Sequence, residues 1–190
     1  MARTGMSELI ETVRGYTDAG TGDYTIGTTT YWSDNEIQRV LDANRTDIYR
    51  DELTMTQTYN SGTVEYKNYY SNFGNYEQST GGTTIFWLEN AAGTILGTSL
   101  YSVDYIRGEV VFAADTTGSA VYAYGRSYDL NGAAAKIWRF KASNASKMYD
   151  FSTDNHSLHR SQMMKQYLEM AKYYESQAAP TVIDLYREDL

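Results

Sequence analysis

The sequence predicts an α+β fold, in which helices from both ends of the chain form a bundle and a small antiparallel β domain is inserted between them. Hydrophobic residues recur with helical spacing near both ends, whereas from about Leu53 they alternate, as in strands. Short alternating segments separated by Gly-containing turns indicate a sandwich or barrel. The predicted organisation is a helical core of residues 1–52 and 129–177, a β domain of residues 53–128 and an extended C-terminal tail of residues 178–190.

The first predicted helix is Ser7–Tyr16. It places Leu9 and Val13 on one face, and Ser7 is a suitable N-cap. The following stretch, Asp18–Thr30, is rich in Gly and Thr and has no helical spacing. This composition predicts a loop or a short extended segment.

The second predicted helix begins at Ser33–Glu36, which has the form of a capping box. In a capping box the Ser and Glu side chains each accept a hydrogen bond from the other residue's backbone N–H. Four apolar residues follow at helical spacing: Ile37, Val40, Leu41 and Ile48. We therefore expect this helix to continue as far as Ile48.

The middle of the chain predicts a series of short strands. The alternating segments are Leu53–Asn60, Thr63–Tyr70, Thr83–Asn90, Thr94–Tyr101, Ser102–Ile106, Glu109–Ala113 and Ala120–Gly125. Turn signals lie between them at Ser61–Gly62, Ala91–Gly93, Arg107–Gly108 and Asp115–Gly118. The stretch Ser71–Gly82 lacks the alternation, and we expect it to be an exposed loop.

The last third of the chain predicts a helical hairpin. Asp129 is a suitable N-cap for the first helix, whose apolar stripe consists of Leu130, Ala134, Ile137, Ala145 and Met148, widened by Trp138 and Tyr149. Ser152–Ser157 is the predicted turn. The second helix has two apolar rows, Met163–Tyr167–Met170–Tyr174 and Met164–Leu168–Ala171. This apolar surface is wider than one partner helix needs. It either packs within its own domain or also contacts another subunit.

Pro180 is the only proline of the chain and predicts the end of the last helix, because proline lacks the backbone N–H and clashes with the preceding turn. Four apolar residues follow among charged ones: Val182, Ile183, Leu185 and Tyr186. This tail is either a frayed terminus or a segment that becomes ordered on a partner.

Composition excludes several classes of function. The 190 residues include no Cys, so disulfides, thiolate metal sites and Cys nucleophiles are absent. The net charge is −8 and no basic stripe is present, which argues against binding nucleic acid through its phosphates. An acidic wall could still surround DNA without holding it. No apolar run is long enough to cross a membrane, so we expect a soluble protein.

No catalytic motif is present in the sequence. His156 and His159 are not followed by the acidic residue of a zinc-protease motif, and the Gly-rich loops lack the Lys of a P-loop. We therefore expect neither an enzyme nor a cofactor, although spacing alone does not exclude a pair of catalytic carboxylates. The 19 tyrosines, many of them in predicted strands, either cover a half-buried sheet surface or form a sugar-stacking face.

Four segments carry a resemblance to a known family. They are LIETVR at Leu9–Arg14, YWSDNEIQRVLDANRTDI at Tyr31–Ile48, YSVDYIRGEVVFA at Tyr101–Ala113, and the C-terminal helical part from Tyr128. The last is the most telling, with its YD-x-x-x-AAA helix start, YDFS-x-D break and RSQ entry into the final helix. With these segments the chain resembles the head–tail connector proteins (adaptor or head-completion proteins) of tailed bacteriophages. Residues 53–100 carry little of this resemblance.

The resemblance implies a structural protein of the virion neck. Such proteins dock, usually as a ring of twelve copies, beneath the portal protein, extend the DNA channel and present a surface to the next neck or tail protein. By resemblance, the tail residues Val182, Ile183, Leu185 and Tyr186 would anchor on the portal. The residues predicted to pack between subunits are Trp138, Met163, Tyr167, Met170 and Tyr174. The alternative is a neck or tail accessory module whose Tyr-rich β domain binds carbohydrate or another virion protein.

Overall fold

A computed structural model describes residues 2–20, 25–26, 29–30, 32–80, 82–146, 151–153, 156–158 and 160–179. These residues form a mixed α+β fold, which confirms the predicted class. The helices are α1 (Ser7–Thr17), α2 (Asp34–Asp42), α3 (Leu130–Ser146) and α4 (Arg160–Glu175). The strands are β1 (Thr25–Ile26), β2 (Thr29–Thr30), β3 (Arg45–Glu52), β4 (Thr54–Asn60), β5 (Thr63–Tyr70), β6 (Trp87–Asn90), β7 (Tyr101–Asp104), β8 (Glu109–Phe112), β9 (Val121–Tyr128), β10 (Phe151–Thr153) and β11 (His156–Leu158).

Local capping signals place two of the helix starts. The capping box of α2 is formed, with the backbone N–H of Ser33 donating to Glu36 Oε2 at 3.1 Å. At the start of α3 the backbone N–H of Gly132 donates to Asp129 Oδ1 at 2.9 Å. Both contacts satisfy backbone donors that the first turn of a helix leaves unpaired, and both confirm the sequence prediction.

The predicted extension of the second helix to Ile48 is wrong. Helix α2 ends at Asp42, and Asn44 closes its last turn by donating from its side-chain amide to the Val40 carbonyl at 2.6 Å. Ile48 instead lies in β3, where it is 5% exposed and packs in the core of the β region. Strand β3 pairs with β9, which is distant in the sequence. This long-range pairing outweighs the helical spacing between Ile48 and the apolar residues of α2.

Seven of these strands form two antiparallel sheets with the orders β3-β9-β6 and β4-β5-β8-β7, and the other four form the hairpins β1–β2 and β10–β11. Side chains from both sheets share one core, including Ile48, Tyr69, Leu88, Val110 and Ala123. The turn at Ser61–Gly62 lies between β4 and β5 as predicted. The predicted pairing across Ala91–Gly93 is present but short: an isolated bridge joins Glu89 and Ile95, and the N–H groups of Asn90 and Leu96 donate to the carbonyls of Thr94 and Leu88.

The segment Ser71–Gly82 is not the exposed loop that we predicted. Tyr76 is 1% exposed and Glu77 is fully buried. The segment runs beside β9, where the Glu77 N–H donates to the Arg126 carbonyl at 2.9 Å and Tyr76 forms a bridge with Ser127. These backbone contacts extend the three-stranded sheet with a stretch that has no strand-like alternation of its own.

A second core lies among the helices. It includes Leu9 and Val13 of α1, Ile37 and Leu41 of α2, and Ile137 of α3. Helix α3 contacts the other three helices. Tyr128 ends β9 but is buried in this helical core, and the chain enters α3 two residues later. Strand β9 therefore ties the helical part to the three-stranded sheet.

The remaining predictions concern two short segments. The hairpin β10–β11 occupies the region of the predicted turn Ser152–Ser157, and the hairpin β1–β2 lies within Asp18–Thr30. Met148, Tyr149, His159 and all of the tail from Pro180 lie outside the described residues. Among the described residues, no helix is long and apolar enough to cross a membrane.

Candidate assembly surfaces on the helices

Helix α4 packs through one stripe of side chains. From Gln162 to Glu175, its buried or half-buried residues are Met164, Tyr167, Ala171 and Tyr174, spaced three or four apart. The Tyr167 ring lies 5.3 Å from the Trp138 ring of α3, and the Tyr174 ring stacks on Tyr16 of α1 at 5.5 Å. This stripe therefore belongs to the chain's own core.

Trp138 is also used within the chain. It is 8% exposed, and its indole N–H donates to the Tyr16 carbonyl at 3.2 Å. The Lys141 ammonium lies 5.1 Å from the Trp138 ring and donates to the Thr17 carbonyl at 2.8 Å. These bonds satisfy carbonyls at the C-terminus of α1, where a positive charge also complements the helix dipole. Trp138 thus positions α1 against α3.

One flank of this stripe carries apolar side chains that the described part of the chain leaves exposed. Met163 and Met170 are 40% and 37% exposed, and their seven-residue spacing puts them on the same side of the helix. Tyr173 is 54% exposed, and because it lies three residues after Met170 it continues the same side. We call these three residues the α4 ridge. Leu168 is 40% exposed on the other flank of the packed stripe.

A second apolar surface lies between α2 and α3. It is a groove of about 470 Å³ whose lining includes Trp32, Val40, Phe140, Arg39 and Lys136, and we call it the α2–α3 groove. Phe140 is 52% exposed, and its ring lies 6.3 Å from that of Trp32. Within the described residues, the buried indole N–H of Trp32 has no hydrogen-bond acceptor. Leaving such a donor unpaired costs about 1–3 kcal/mol.

The ridge and the groove lie on different sides of α3. Trp138 and Arg139 of α3 contact α4, the latter through an ion pair with Glu175 at 2.6 Å. Lys136 and Phe140 line the groove against α2 instead. One chain therefore presents two non-identical apolar surfaces in two directions.

A network of charged and polar side chains fixes the helices to the β region. The Arg3 Nε donates to Glu77 Oε1 at 2.6 Å, and the Tyr128 hydroxyl donates to Glu77 Oε2 at 2.6 Å. Arg3 also forms an ion pair with Asp42 at 2.5 Å. Burial and the hydrogen bond to Glu77 together raise the pKa of Tyr128 well above its usual value, so its hydroxyl stays a donor.

The same network keeps Asp42 ionised. Burial opposes ionisation of this carboxyl group, but the hydrogen bond and the positive charge of Arg3 outweigh it and hold the pKa of Asp42 below 3.8. The described residues contain no cluster of three or more acidic or His side chains that could hold a metal ion. Its role is to position the N-terminal segment.

The five residues predicted for subunit packing thus divide into two groups. Met163 and Met170 are exposed, whereas Trp138, Tyr167 and Tyr174 make the contacts within the chain described above. Tyr173, Phe140 and the groove are not among the sites predicted from the sequence. Phe140 has a sequence signal, because it lies outside the apolar stripe of α3 and so projects from the packed side.

The four tail residues predicted to bind the portal, Val182, Ile183, Leu185 and Tyr186, lie outside the described residues. No protein-family model, curated protein sequence or solved structure matches this chain.

Proposed function

We propose that the chain is a structural subunit of a phage neck, which forms a ring beneath the portal, joins the head to the tail and extends the DNA channel. The proposal includes a non-enzymatic role, a helical bundle as the assembly core and the β region as an insertion. The observation that carries it is the pair of different apolar surfaces, the α4 ridge and the α2–α3 groove, on two sides of α3.

Two non-identical complementary surfaces produce head-to-tail contacts, and head-to-tail contacts close into a ring when the rotation between neighbours permits. In the proposed contact, the α4 ridge of one copy enters the α2–α3 groove of the next. Methionine side chains suit this role because they are flexible and fill irregular apolar space. A neighbouring copy would also supply an acceptor for the Trp32 indole N–H, which has none among the described residues.

Charge supports the same pairing. Glu169 is exposed one turn before Tyr173 on α4, and the groove lining carries two exposed basic side chains, Arg39 and Lys136, against one acidic side chain, Glu36. Across a head-to-tail contact, the Glu169 carboxylate would face the two basic side chains. Such a pair at the rim adds less to affinity than to orientation and partner choice. The net charge of −8 fits a channel wall that repels passing double-stranded DNA.

The partners of the proposed ring are further copies of the chain, the portal protein and the next neck or tail protein. Twelve is the copy number that the family resemblance implies. The proposed portal anchor is the tail segment with Val182, Ile183, Leu185 and Tyr186, which combines four apolar residues with charged ones. Virion location in the neck follows from these partners.

The test uses purified DNA-filled heads that lack this chain, incubated with the full-length protein and then imaged by electron microscopy. We expect a ring of added density beneath the portal and restored tail attachment. Matched samples contain a Met163→Asp/Met170→Asp variant, which should not form the ring, and a Tyr59→Asp variant, whose position in β4 is 76% exposed and far in sequence from the helices. Absence of vertex density with the folded wild-type protein would refute the proposed function.

The tail is tested separately by deleting residues 180–190. Because the tail is the proposed portal anchor, we expect the deletion to abolish vertex binding. Because these residues follow the last described turn, we expect the circular dichroism spectrum to stay the same and the thermal midpoint to change by no more than a few degrees. Normal vertex binding by the folded deletion variant would remove the tail from the mechanism and leave the ridge and groove as the assembly surfaces.

A further inference from the structure

The outer face of the three-stranded sheet carries a small cavity away from both assembly surfaces. The cavity has a volume of about 200 Å³, and its lining includes Arg45, Asp47, Tyr49, Thr84, Trp87 and Arg126. These residues come from β3, from β9, from β6 and from the chain just before β6. They alternate along the strands with core residues such as Leu88, as side chains on the outer face of a sheet must, and Ile48, Ile85 and Gly125 also border the cavity.

A β-bulge opens this face. Ile48 pairs with Gly125 and Asp51 pairs with Ala123, so Tyr49 and Arg50 together oppose the single residue Tyr124. Arg50 adopts φ of 55°, a left-handed conformation that is costly for a residue with a side chain. Bulges of this kind redirect side chains and occur often beside functional sites. Here the bulge leaves Tyr49 77% exposed at the edge of the cavity.

The aromatic wall of the cavity is held rigidly. The Trp87 ring stacks on Tyr124 at 5.0 Å with an angle of 6° between the ring planes. The Trp87 indole N–H donates to Glu89 Oε1 at 3.1 Å. The hydrogen bond between Tyr124 and the same Glu89 raises the pKa of Tyr124. Because Tyr124 covers one face of the indole, Trp87 contributes its other face or its edge to the cavity.

The polar wall consists of groups that have spare hydrogen-bonding capacity. Asp47 lies between two guanidinium groups, 3.0 Å from Arg45 Nε and 3.9 Å from Arg126 Nε. Arg126 also lies 3.5 Å from the buried Glu77 carboxylate. Each guanidinium has five N–H donors and each carboxylate accepts about four hydrogen bonds, so the recorded pairs leave donors and acceptors free for a ligand. The side chains of Arg45, Asp47 and Arg126 are 34%, 38% and 39% exposed.

The charges in and behind the cavity balance. Arg45 and Arg126 are matched by Asp47 and Glu77, the Arg3 that also contacts Glu77 is matched by Asp42, and the whole chain is acidic. A balanced site does not attract a phosphate or a carboxylate, whereas alternating donors and acceptors suit neighbouring hydroxyl groups. A ligand for this cavity therefore needs an apolar face for the aromatic wall and hydroxyls for the Arg–Asp–Arg row.

We propose that this cavity binds one neutral pyranose ring of a glycan. A pyranose presents axial C–H bonds on its faces and vicinal hydroxyls at its rim, which matches the aromatic wall and the polar row. One such ring has roughly the size of the cavity, and further sugar units would extend past Tyr49 into solvent. The site is independent of ring assembly, because it shares no residue with the α4 ridge or the α2–α3 groove.

The test titrates the full-length protein with glucose, galactose, mannose, N-acetylglucosamine and N-acetylgalactosamine, and with their disaccharides. Binding is followed by saturation-transfer NMR and by tryptophan fluorescence. We expect at least one neutral sugar to bind, and Trp87→Ala and Asp47→Ala to weaken it by about tenfold or more, the ratio that loss of one good contact produces. Tyr59→Ala, at an equally exposed tyrosine of the other sheet, should bind like the wild type.

Tyr49→Ala provides a second variant in case the others fail to fold. Its side chain is 77% exposed, so the substitution should preserve the fold while weakening sugar binding. The proposal is overturned if no sugar of the panel binds, if only anionic sugars such as glucuronate bind, or if Tyr49→Ala binds as tightly as the wild type. Ring formation on phage heads is measured in parallel, since it tests the proposed neck function and not this site.

Discussion

Tyr128 is the residue at which the sheet meets the helices, and its hydroxyl donates to a fully buried carboxylate. Tyr128→Phe keeps the ring but leaves Glu77 Oε2 without this donor. Arg3 and Arg126 still contact this oxygen, so we expect the free energy of unfolding to fall by about 1.5–3 kcal/mol, the usual contribution of one hydrogen bond to a charged group. Urea denaturation of the wild type and the variant measures this change in the free energy of unfolding. Tyr59→Phe, at a 76% exposed ring, should change the value by less than about 0.5 kcal/mol, and equal losses in both variants would contradict the argument.

Asp42 gives the same network a defined dependence on pH. Its pKa is lower in the folded protein than its usual value of 3.8, because Arg3 favours the carboxylate. A group with a depressed folded pKa stabilises the protein above its unfolded pKa, and this contribution disappears as the pH falls through the folded pKa. The wild type should therefore lose this part of its stability below about pH 4.

Asp42→Asn removes that titration. We expect it to lower stability near neutral pH by about 1 kcal/mol, a modest value because the pair is partly exposed to solvent. The difference between wild type and variant should shrink toward zero in acid. Denaturation curves recorded at a series of pH values measure both. A difference that stays constant across the acid range would show that the Asp42 charge does not contribute.

At the scale of elements, the turn between β7 and β8 requires a glycine at position 108. Gly108 has φ of 67°, and a Cβ at this position would meet the Phe73 carbonyl. We expect Gly108→Ala to destabilise the protein by about 1–3 kcal/mol through backbone strain and this contact.

Gly15 is the matched control, because it lies in α1 and a Cβ there would meet nothing within 4 Å. Gly15→Ala should stabilise the protein by about 0.5–1 kcal/mol, the helix propensity difference between the two residues. Thermal unfolding should show a lower midpoint temperature for Gly108→Ala and a higher one for Gly15→Ala than for the wild type. A loss of stability in Gly15→Ala comparable to that in Gly108→Ala would mean that the loss at Gly108 does not come from its turn.

The elements that the sequence predicted well are those that local contacts determine. The capping box at Ser33 and the Asp129 cap act within three residues, and both appear in the structure. The elements that it mispredicted depend on distant partners. Ile48 lies in a strand because β9 pairs with it, and Glu77 is buried because Arg3 and Tyr128 lie 74 and 51 positions away and satisfy it. Helical or strand spacing contains no information about such partners.

The apolar surface of α4 shows the same difference between what local spacing predicts and what distant contacts determine. The spacing of apolar residues correctly predicted that one broad side of α4 is apolar. It contains no information about which part of that side the other helices of the chain cover. Tyr167 and Tyr174 pack on Trp138 and Tyr16, which leaves exposed the flank with Met163 and Met170 and, on the other flank, Leu168. The α2–α3 groove was not predictable, because it exists only where two helices distant in sequence approach each other.

At the scale of the whole molecule, the proposed ring makes a prediction that the absence of Cys allows to be tested directly. Met170→Cys places a thiol on the α4 ridge, and Arg39→Cys places one on the edge of the α2–α3 groove. In a head-to-tail ring these two positions meet between neighbours. A chain with both substitutions, assembled on phage heads and treated with a short bismaleimide, should give a ladder of covalent oligomers that ends at the copy number of the ring.

Each single-cysteine variant is the control, because one thiol per chain can link two copies at most and cannot give a ladder. In the free monomer the two positions lie on different sides of α3, so the double variant should remain uncross-linked before heads are added. Ring density at the vertex without a ladder would show that the ring uses other surfaces. A ladder that stops at the dimer would indicate a symmetric contact, which pairs identical surfaces and cannot close a ring of many copies.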